Sequence, residues 1–201
     1  VAAGADSIDV YCDEGHFTTD EARAMLLTGK QAGLKTRVHA CTQERIGAAQ
    51  VAAEVGCASA DLLTEATDDD IKALAHAGVT ATVCPGSALR TRRTPPVRGM
   101  LDRGVTVALG TDHNPGECGI TSMPLVVGLA VAMFGMSVNE ALRAATMGGA
   151  AALRVGDRGS LAPGMMADIV LWDADHEGAF AWSFGLPALR VWRGGVPMSQ
   201  V

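Results

Sequence analysis

The sequence lacks several features that would assign it to a common class of protein. Among its 201 residues no apolar run approaches the roughly 20 residues that span a bilayer, and the longest, residues 124–136, is interrupted by glycine. Its 16 Lys and Arg residues are fewer than its 22 Asp and Glu residues, so the formal net charge is −6. A nucleic-acid-binding surface normally shows a basic excess. We therefore expect no membrane partner and no nucleic-acid partner.

Paired cysteines and a recognisable leader are also missing. The five cysteines, at positions 12, 41, 57, 84 and 118, form no CxxC pair, which predicts reduced, buried thiols in a cytoplasmic protein. The opening residues have neither the basic nor the apolar region of a signal peptide, and they contain no initiator Met. We expect the chain to be a piece of something longer. With 48% hydrophobic and 19% charged residues, it can bury a sizeable core as one domain with a small appendage.

Positive charge is concentrated in one short, arginine-rich stretch. Two interpretations stay open: a solvated loop, or a loop that holds a carboxylate or a phosphate group. The stretch contains Arg90, Arg92, Arg93, Arg98 and Arg103.

A strand-then-helix unit repeats through the first half of the chain. Short β-branched or aliphatic segments at 7–12, 35–40, 58–62, 79–84 and 104–110 each precede a stretch with helical periodicity. A glycine stands at four helix-to-strand joins, at positions 33, 56, 78 and 104, as helix C-caps do. Continuous βα alternation predicts a parallel sheet, either a barrel or a doubly wound sheet. In both, functional residues follow the carboxyl ends of the strands.

The pattern changes after residue 110. Residues 121–134, 137–147 and 149–153 are predicted helices, and residues 158–164 form a turn-rich link. Two short strands follow, at 167–172 and 188–193, and Gly194-Gly195 predicts a tight hairpin turn. We therefore expect an α/β body over residues 1–157 and part of a small β-structure over residues 158–201.

Two potential metal ligands stand at predicted strand ends. His39 is the next-to-last residue of the second predicted strand, and Asp112 follows the fifth. Imidazole nitrogen and carboxylate oxygen both bind divalent metals, and a carboxylate there can also take a proton from attacking water. However, a single His in an apolar strand is often a hydrogen-bonded core residue. Asn114 and Gly116 next form a turn that offers polar groups to a substrate, or an ordinary Asx/Pro-Gly turn.

Several motifs, in their order along the chain, resemble the imidazolonepropionase family of the amidohydrolase superfamily, over nearly all 201 residues. The motifs are Ile-Asp-Val-Tyr-Cys (8–12), Val-His-Ala (38–40), Ser-Ala-Asp (59–61), Cys-Pro-Gly (84–86) and Thr-Asp-His-Asn-Pro-Gly (111–116). The closing residues 159–172 resemble the return of the superfamily's chain into its β-sandwich. The resemblance implies the C-terminal half of such a protein: about the last five βα units of a TIM-like (β/α) barrel, plus a C-terminal piece of a small β-sandwich.

The resemblance also implies roles for individual residues. His39 and Asp112 bind one divalent metal, zinc or iron, and Asp112 is the catalytic proton shuttle. The substrate-binding residues are Thr42, Asn114, Gly116 and Glu117. The implied reaction is opening of the ring of a small-molecule substrate, 4-imidazolone-5-propanoate, to N-formimidoyl-L-glutamate in histidine degradation, by a full-length parent that is a homodimer. Because one ion must touch both ligands, Asp112 should lie within about 6–8 Å of His39.

The sequence also departs from the family pattern. Leu62 stands where the family has an active-site His, Thr42 where it has Glu or Gln, and Glu117 where a small hydroxyl residue is usual. The His-x-His pair of the first barrel strand is absent. Two alternatives therefore stay open: another amidohydrolase, such as a deaminase or an amide-cleaving enzyme, or a non-catalytic, incomplete barrel.

Overall fold

The computed structural model describes residues 1–199, which form a five-stranded parallel sheet, a three-stranded antiparallel sheet and the helices around them. The strands are β1 (Ser7–Cys12), β2 (Lys35–Ala40), β3 (Ser59–Leu62), β4 (Thr80–Val83), β5 (Val107–Leu109), β6 (Ile169–Trp172), β7 (Ala188–Arg193) and β8 (Val196–Pro197). The helices are α1 (Thr19–Gln31), α2 (Ala48–Val55), α3 (Asp68–Ala77), α4 (Pro85–Thr91), α5 (Val97–Asp102), α6 (Met123–Phe134), α7 (Val138–Arg143), α8 (Gly149–Ala152) and α9 (Ala179–Trp182), with a π-helical turn at Ala144–Gly148.

The helix-to-strand joins follow the predicted glycine pattern. The four glycines have positive φ angles, of 83°, 69°, 64° and 74° for Gly33, Gly56, Gly78 and Gly104. A residue with a Cβ is strained in this left-handed region, so glycine ends each helix at little cost and turns the chain toward the next strand. This part of the sequence-based prediction is confirmed.

The order of the strands distinguishes between the two architectures expected for a parallel sheet. Strands β1 to β5 lie side by side in chain order, and every neighbouring pair is parallel. A doubly wound sheet reverses its strand order at a switch point, and this sheet does not. The arrangement is consistent with a segment of a (β/α) barrel, in which each strand pairs with the next.

The two faces of the parallel sheet differ sharply in polarity. One row of paired residues is Val10, Val38, Ala60, Ala81 and Val107, which belong to or border the buried core shared with the helices. The next row, on the opposite face, is Tyr11, His39, Asp61, Thr82 and Ala108. Because successive side chains alternate between faces, the helices cover the apolar face and the polar face is left for a site.

The antiparallel sheet follows the α/β body. β7 and β8 are joined by Gly194 and Gly195, with φ angles of 57° and 80°, so the predicted two-residue hairpin is confirmed. α9 packs against α6, where Gly128 leaves room for Phe184: a Cβ there would lie 2.5 Å from its ring. Helix α6 is strongly apolar, but within residues 1–199 no helix has the length and composition needed to cross a membrane.

The segment from the π-helical turn to α8 is fixed against the parallel sheet. Gly148 passes so close to β5 that an added Cβ would lie 2.1 Å from the carbonyl oxygen of Val107. At the C-terminal end of α8, Lys35 Nζ donates to the Leu153 carbonyl at 3.1 Å, and Arg37 Nη1 donates to the Ala152 carbonyl at 2.5 Å. These cations satisfy carbonyl groups that the helix end leaves free.

We predict that Gly148→Ala destabilises the protein by about 1–3 kcal/mol, because the strand backbone must shift to admit the methyl group. Gly149→Ala is the matched control, since it adds the same methyl group to a helical position with nothing within 4 Å. It should raise stability by up to about 1 kcal/mol through helix propensity. Urea unfolding of both variants measures the difference, and equal stabilities would contradict the close approach.

Candidate active site

His39 is the central residue of the candidate site. Its ring lies 3.8 Å from the ring of Tyr11, and its Nε2 atom is buried without a hydrogen-bond partner among the described residues. Burial lowers the pKa of His39 below its ordinary 6.5, although the charges of Asp9, Asp112 and Asp13 act in the opposite direction. At neutral pH the imidazole is therefore uncharged, and uncharged imidazole is the form that binds a metal.

Two more buried polar atoms near His39 lack a partner within residues 1–199: Thr42 Oγ1 and Asp61 Oδ1. Asp61 pairs with His39 in the sheet register, so the two backbones are about 4.8 Å apart and the side chains share a face. Burial raises the pKa of Asp61 to about 6, although the nearby hydroxyl groups of Thr82 and Ser59 act in the opposite direction. Buried polar atoms are almost always hydrogen-bonded, to protein, water or a ligand, so these three atoms mark a candidate ligand site.

The loop after β2, residues 41–47, is held by the carboxylate of Asp13, which is only 1% exposed. This carboxylate accepts backbone N–H groups from Thr42 at 2.7 Å, Gln43 at 2.9 Å, Glu44 at 3.0 Å and Glu14 at 2.8 Å. Burial alone would raise the pKa of Asp13, but these hydrogen bonds outweigh it and hold the pKa below 3.8. The position of Thr42 therefore depends on a charged group at the end of β1.

A second buried carboxylate, Asp70 at the start of α3, holds the other end of the same loop. It accepts from Arg45 Nε at 2.8 Å and from Gln50 Nε2 at 2.9 Å. Burial opposes ionisation of Asp70, yet these donors and Thr67 lower its pKa to about 2. The loop is thus fixed from β1 and from α3 together.

The arginine-rich stretch is paired largely with the protein's own carboxylates. The pairs are Arg90–Glu117, Arg93–Glu65, Arg98–Glu140, Arg98–Asp102 and Arg103–Asp68. Arg93 also donates to the carbonyl of Gln43 at 3.1 Å. Arg90 and Arg93 therefore connect α4 and the segment after it to loops that follow other strands, whereas Arg98 and Arg103 connect helices.

Asp112 lies just beyond β5 with a φ angle of 52°, in the left-handed region that residues with a Cβ rarely adopt. Cys41, Leu62 and Leu63, which end or follow β2 and β3, share this property, with φ angles of 52°, 73° and 57°. Such strain collects at functional sites, where the surrounding structure holds it. One oxygen of Asp112, Oδ2, accepts a hydrogen bond from the hydroxyl of Ser87 on α4.

The segment after Asp112 folds into a tight turn. Asn114 Nδ2 donates to the carbonyl of Asp112 at 2.9 Å, and the backbone N–H of Gly116 donates to Asn114 Oδ1 at 3.4 Å. The Asn114 amide is therefore engaged in the turn, as one of the two sequence-based interpretations expected. The space beside Gly116 is open, since an added Cβ would meet nothing within 4 Å. Glu117 forms an ion pair with Arg90.

The structure brings the predicted residues into two neighbouring groups. His39 and Thr42 lie at the end of β2, and the others lie in the single loop 112–117 after β5. The charge of Asp112 acts on the His39 imidazole, so the two groups face a common region, but their predicted separation of about 6–8 Å stays a prediction. Leu62, 6% exposed, contributes no ligand. Within residues 1–199 no three His, Cys, Asp or Glu side chains form a group that could hold a metal.

Sequence reasoning assigned no role to three residues that shape this site. Asp61 could have been noticed, because it occupies on the third strand the position that His39 occupies on the second. Asp13 and Ser87 could not, because their partners lie 29–31 and 25 residues away in the chain.

Comparison with known proteins agrees with this architecture. Residues 13–196 match the model of the amidohydrolase family, so the chain belongs to that family. It is 47% identical to the imidazolonepropionase of Nocardia farcinica over 96% of this chain and 50% of that protein. It is 45% identical to the imidazolonepropionase of Streptomyces griseus over 94% of this chain and 49% of that protein. The chain thus spans about half the length of the curated relatives it matches.

Solved structures show the same fold at lower identity. A zinc-bound adenosine deaminase from Xanthomonas campestris superposes with a TM-score of 0.80 at 21% identity, over 95% of this chain and 51% of that one. An atrazine chlorohydrolase mutant from Arthrobacter aurescens, complexed with zinc and atraton, superposes with a TM-score of 0.73 at 20% identity. This match covers 94% of this chain and 49% of that one. In each case the match covers about half of the larger protein.

We predict that Asp13→Asn destabilises the protein by about 1–3 kcal/mol, because an amide presents a donor to backbone N–H groups that need an acceptor. The pKa of Asp13 is lower in the folded protein than in the unfolded chain. Its ionised carboxylate therefore stabilises the fold at pH values above the unfolded pKa, and this stabilisation is lost as the pH falls through the folded pKa. The variant should therefore lose less stability than the wild type between about pH 5 and pH 2. Glu14→Gln, which neutralises an exposed neighbour, is the control, and denaturant unfolding at several pH values is the measurement. Equal acid sensitivity of Asp13→Asn and wild type would contradict the role of Asp13.

Proposed function

We propose that the chain contributes to the active site of an imidazolonepropionase-like hydrolase, which opens the ring of 4-imidazolone-5-propanoate to N-formimidoyl-L-glutamate. The observation that carries this proposal is the unpartnered Nε2 of His39 in the electrostatic field of Asp112. Imidazolonepropionases at 45–47% identity over nearly the whole chain supply the substrate class. Because the match covers half of each relative, the complete activity belongs to a longer assembly of residues.

His39 Nε2 and the Asp112 carboxylate are the groups that would hold one divalent metal, zinc or iron. Their chemistry fits, since a free, uncharged imidazole nitrogen and a carboxylate are both ligands of such ions. When bound, the ion would lower the pKa of a water molecule and polarise the ring carbonyl. Two ligands do not complete a site, so the remaining ligands must come from outside the described residues.

The protein's own residues would do the rest of the chemistry. The Asp112 carboxylate accepts a proton from the attacking water. It then donates this proton to the ring nitrogen as the carbon–nitrogen bond breaks, so Asp112 ends in its original ionised form. The unpaired hydroxyl of Thr42 can donate to or accept from the ring. Gly116 leaves open space beside its backbone for the substrate. Asn114 and Glu117, which is paired with Arg90, would contact the substrate from the same loop.

The same proposal covers the parts of the protein around the site. Residues 1–157 would form the C-terminal part of the barrel, and residues 158–201 would supply strands of a composite β-sandwich. Exposed apolar side chains of the antiparallel sheet, such as Leu171 at 49% and Val196 at 64%, support a covering layer there. Free, buried cysteines support a cytoplasmic location, and a homodimer of the complete protein follows from the family resemblance.

Leu62 and Thr42 favour a second candidate, an amidohydrolase that acts on a different small substrate. Both residues stand where the family places groups that recognise the ring, and neither Leu nor Thr can supply the charge or base of those groups. A deaminase or an amide-cleaving enzyme would need other contacts here. The third candidate, a non-catalytic incomplete barrel, is supported by the match to only half of each relative.

A chimera separates these candidates. The chain would replace the matching half of the Nocardia farcinica imidazolonepropionase, and turnover of imidazolone propionate would be compared with that of other cyclic amides and aminopurines. Preferential opening of the imidazolone ring, abolished by a chelator and restored by zinc or iron, is the expected result. A better substrate from the panel favours the second candidate, and a folded but inactive chimera favours the third.

In the same chimera, Asp112→Asn should lower turnover by about 10²- to 10⁴-fold, because the general base is lost while size and turn geometry are kept. Asp20→Asn, which neutralises a carboxylate with a 93% exposed side chain, is the control and should leave turnover unchanged. Thermal melts on the same samples check the fold. An Asp112→Asn variant that melts normally and turns over within a few-fold of the parent would show that Asp112 is only a turn residue.

A further inference from the structure

Ser87 contacts the residue proposed as the catalytic base. It lies on α4, which follows β4, and its hydroxyl donates to Oδ2 of Asp112, which follows β5. Ser87 is 9% exposed, so its hydroxyl has little access to competing water. Of the side-chain hydrogen bonds formed within residues 1–199, this is the one that reaches the Asp112 carboxylate, and it leaves Oδ1 available.

The contact between α4 and the loop 111–120 is close enough to fix Ser87 in place. A Cβ on Gly86 would lie 2.6 Å from Cys118 Sγ and 2.9 Å from Ile120 Cδ1, so only glycine lets the helix start approach the loop. Cys118 Sγ lies 3.3 Å from the carbonyl of Thr111, which holds the two ends of the loop together. Ser87 is therefore presented to Asp112 by a rigid surface.

Asp112 needs such a contact because its backbone does not orient it strongly. Asp112 is the third residue after β5, its backbone has a left-handed conformation, and the residue is only partly buried. A carboxylate at such a position can rotate among several side-chain conformers. Fixing one oxygen selects one conformer and aims the other oxygen.

We propose that Ser87 is the positioning residue of Asp112: its hydroxyl binds Oδ2 and thereby presents Oδ1 toward His39, for a metal ion and for proton transfer. This inference rests on the proposed function as far as the metal is concerned. The orientation of Asp112 itself is a property of this chain that can be measured without metal. Ser87 touches neither the ion nor the substrate and acts through Asp112.

The test uses the chain itself with Ser87→Ala, which removes the hydroxyl, and Ser87→Thr, which keeps it. Thr91→Ala is the matched control, because it removes a hydroxyl on the same helix that donates to the carbonyl of Ser87 and not to Asp112. The first readout is the conformer of Asp112, from side-chain couplings in nuclear magnetic resonance and from crystal structures. The second is affinity for Zn²⁺ by calorimetry, with the d–d spectrum of Co²⁺ as a report on the ligand geometry.

We expect one Asp112 conformer in the wild type, Ser87→Thr and Thr91→Ala, and several conformers in Ser87→Ala. Zn²⁺ affinity should fall about 10- to 100-fold in Ser87→Ala, the usual effect of losing a group that orients a metal ligand, and recover in Ser87→Thr. An unchanged Asp112 conformer in a folded Ser87→Ala variant would overturn the inference. If the wild type binds no Zn²⁺ while Asp112 reorients in Ser87→Ala, the role of Ser87 stands and the proposed metal role of this chain fails.

Discussion

In-register parallel pairing of β1 to β5 is the constraint on which the rest of the structure depends. Because neighbouring strands pair residue for residue, Val10, Val38 and Ala60 share the face covered by helices, while His39 and Asp61 share the other. A shift of one residue in any strand would exchange these faces and bury the polar row. The register thus places both the core and the candidate site.

Charged groups with many hydrogen bonds then fix the loops at the strand ends. Asp13 and Asp70 are both buried and ionised, and both hold the loop after β2 rather than a ligand. Hydrogen bonds outweigh burial at Asp13 and Asp70 and lower their pKa values, whereas burial prevails at Asp61 and raises its pKa. The contrast separates structural carboxylates from one that has an unsatisfied oxygen and is available to a ligand.

The candidate site is therefore rigid but incomplete within the described residues. It has a free imidazole nitrogen, a carboxylate held by Ser87 and an unpaired hydroxyl, but no third metal ligand. Leu62 occupies the position from which the family resemblance would supply a histidine. Membership in the amidohydrolase family and the half-length match to imidazolonepropionases agree with a site that other residues complete.

The sequence by itself determined the repeating βα units, because glycine C-caps and β-branched runs are local signals that need no partner elsewhere in the chain. The same local logic placed His39 and Asp112 at strand ends and predicted the hairpin at Gly194-Gly195. Only the tertiary structure decided the unreversed strand order, the hydrogen bonds of Asp13 and Ser87, and the missing partner of Asp61. Each of these features depends on contacts between residues about 20 or more positions apart. The geometry of such contacts is set only when the strands pair, so no local pattern in the sequence predicts it.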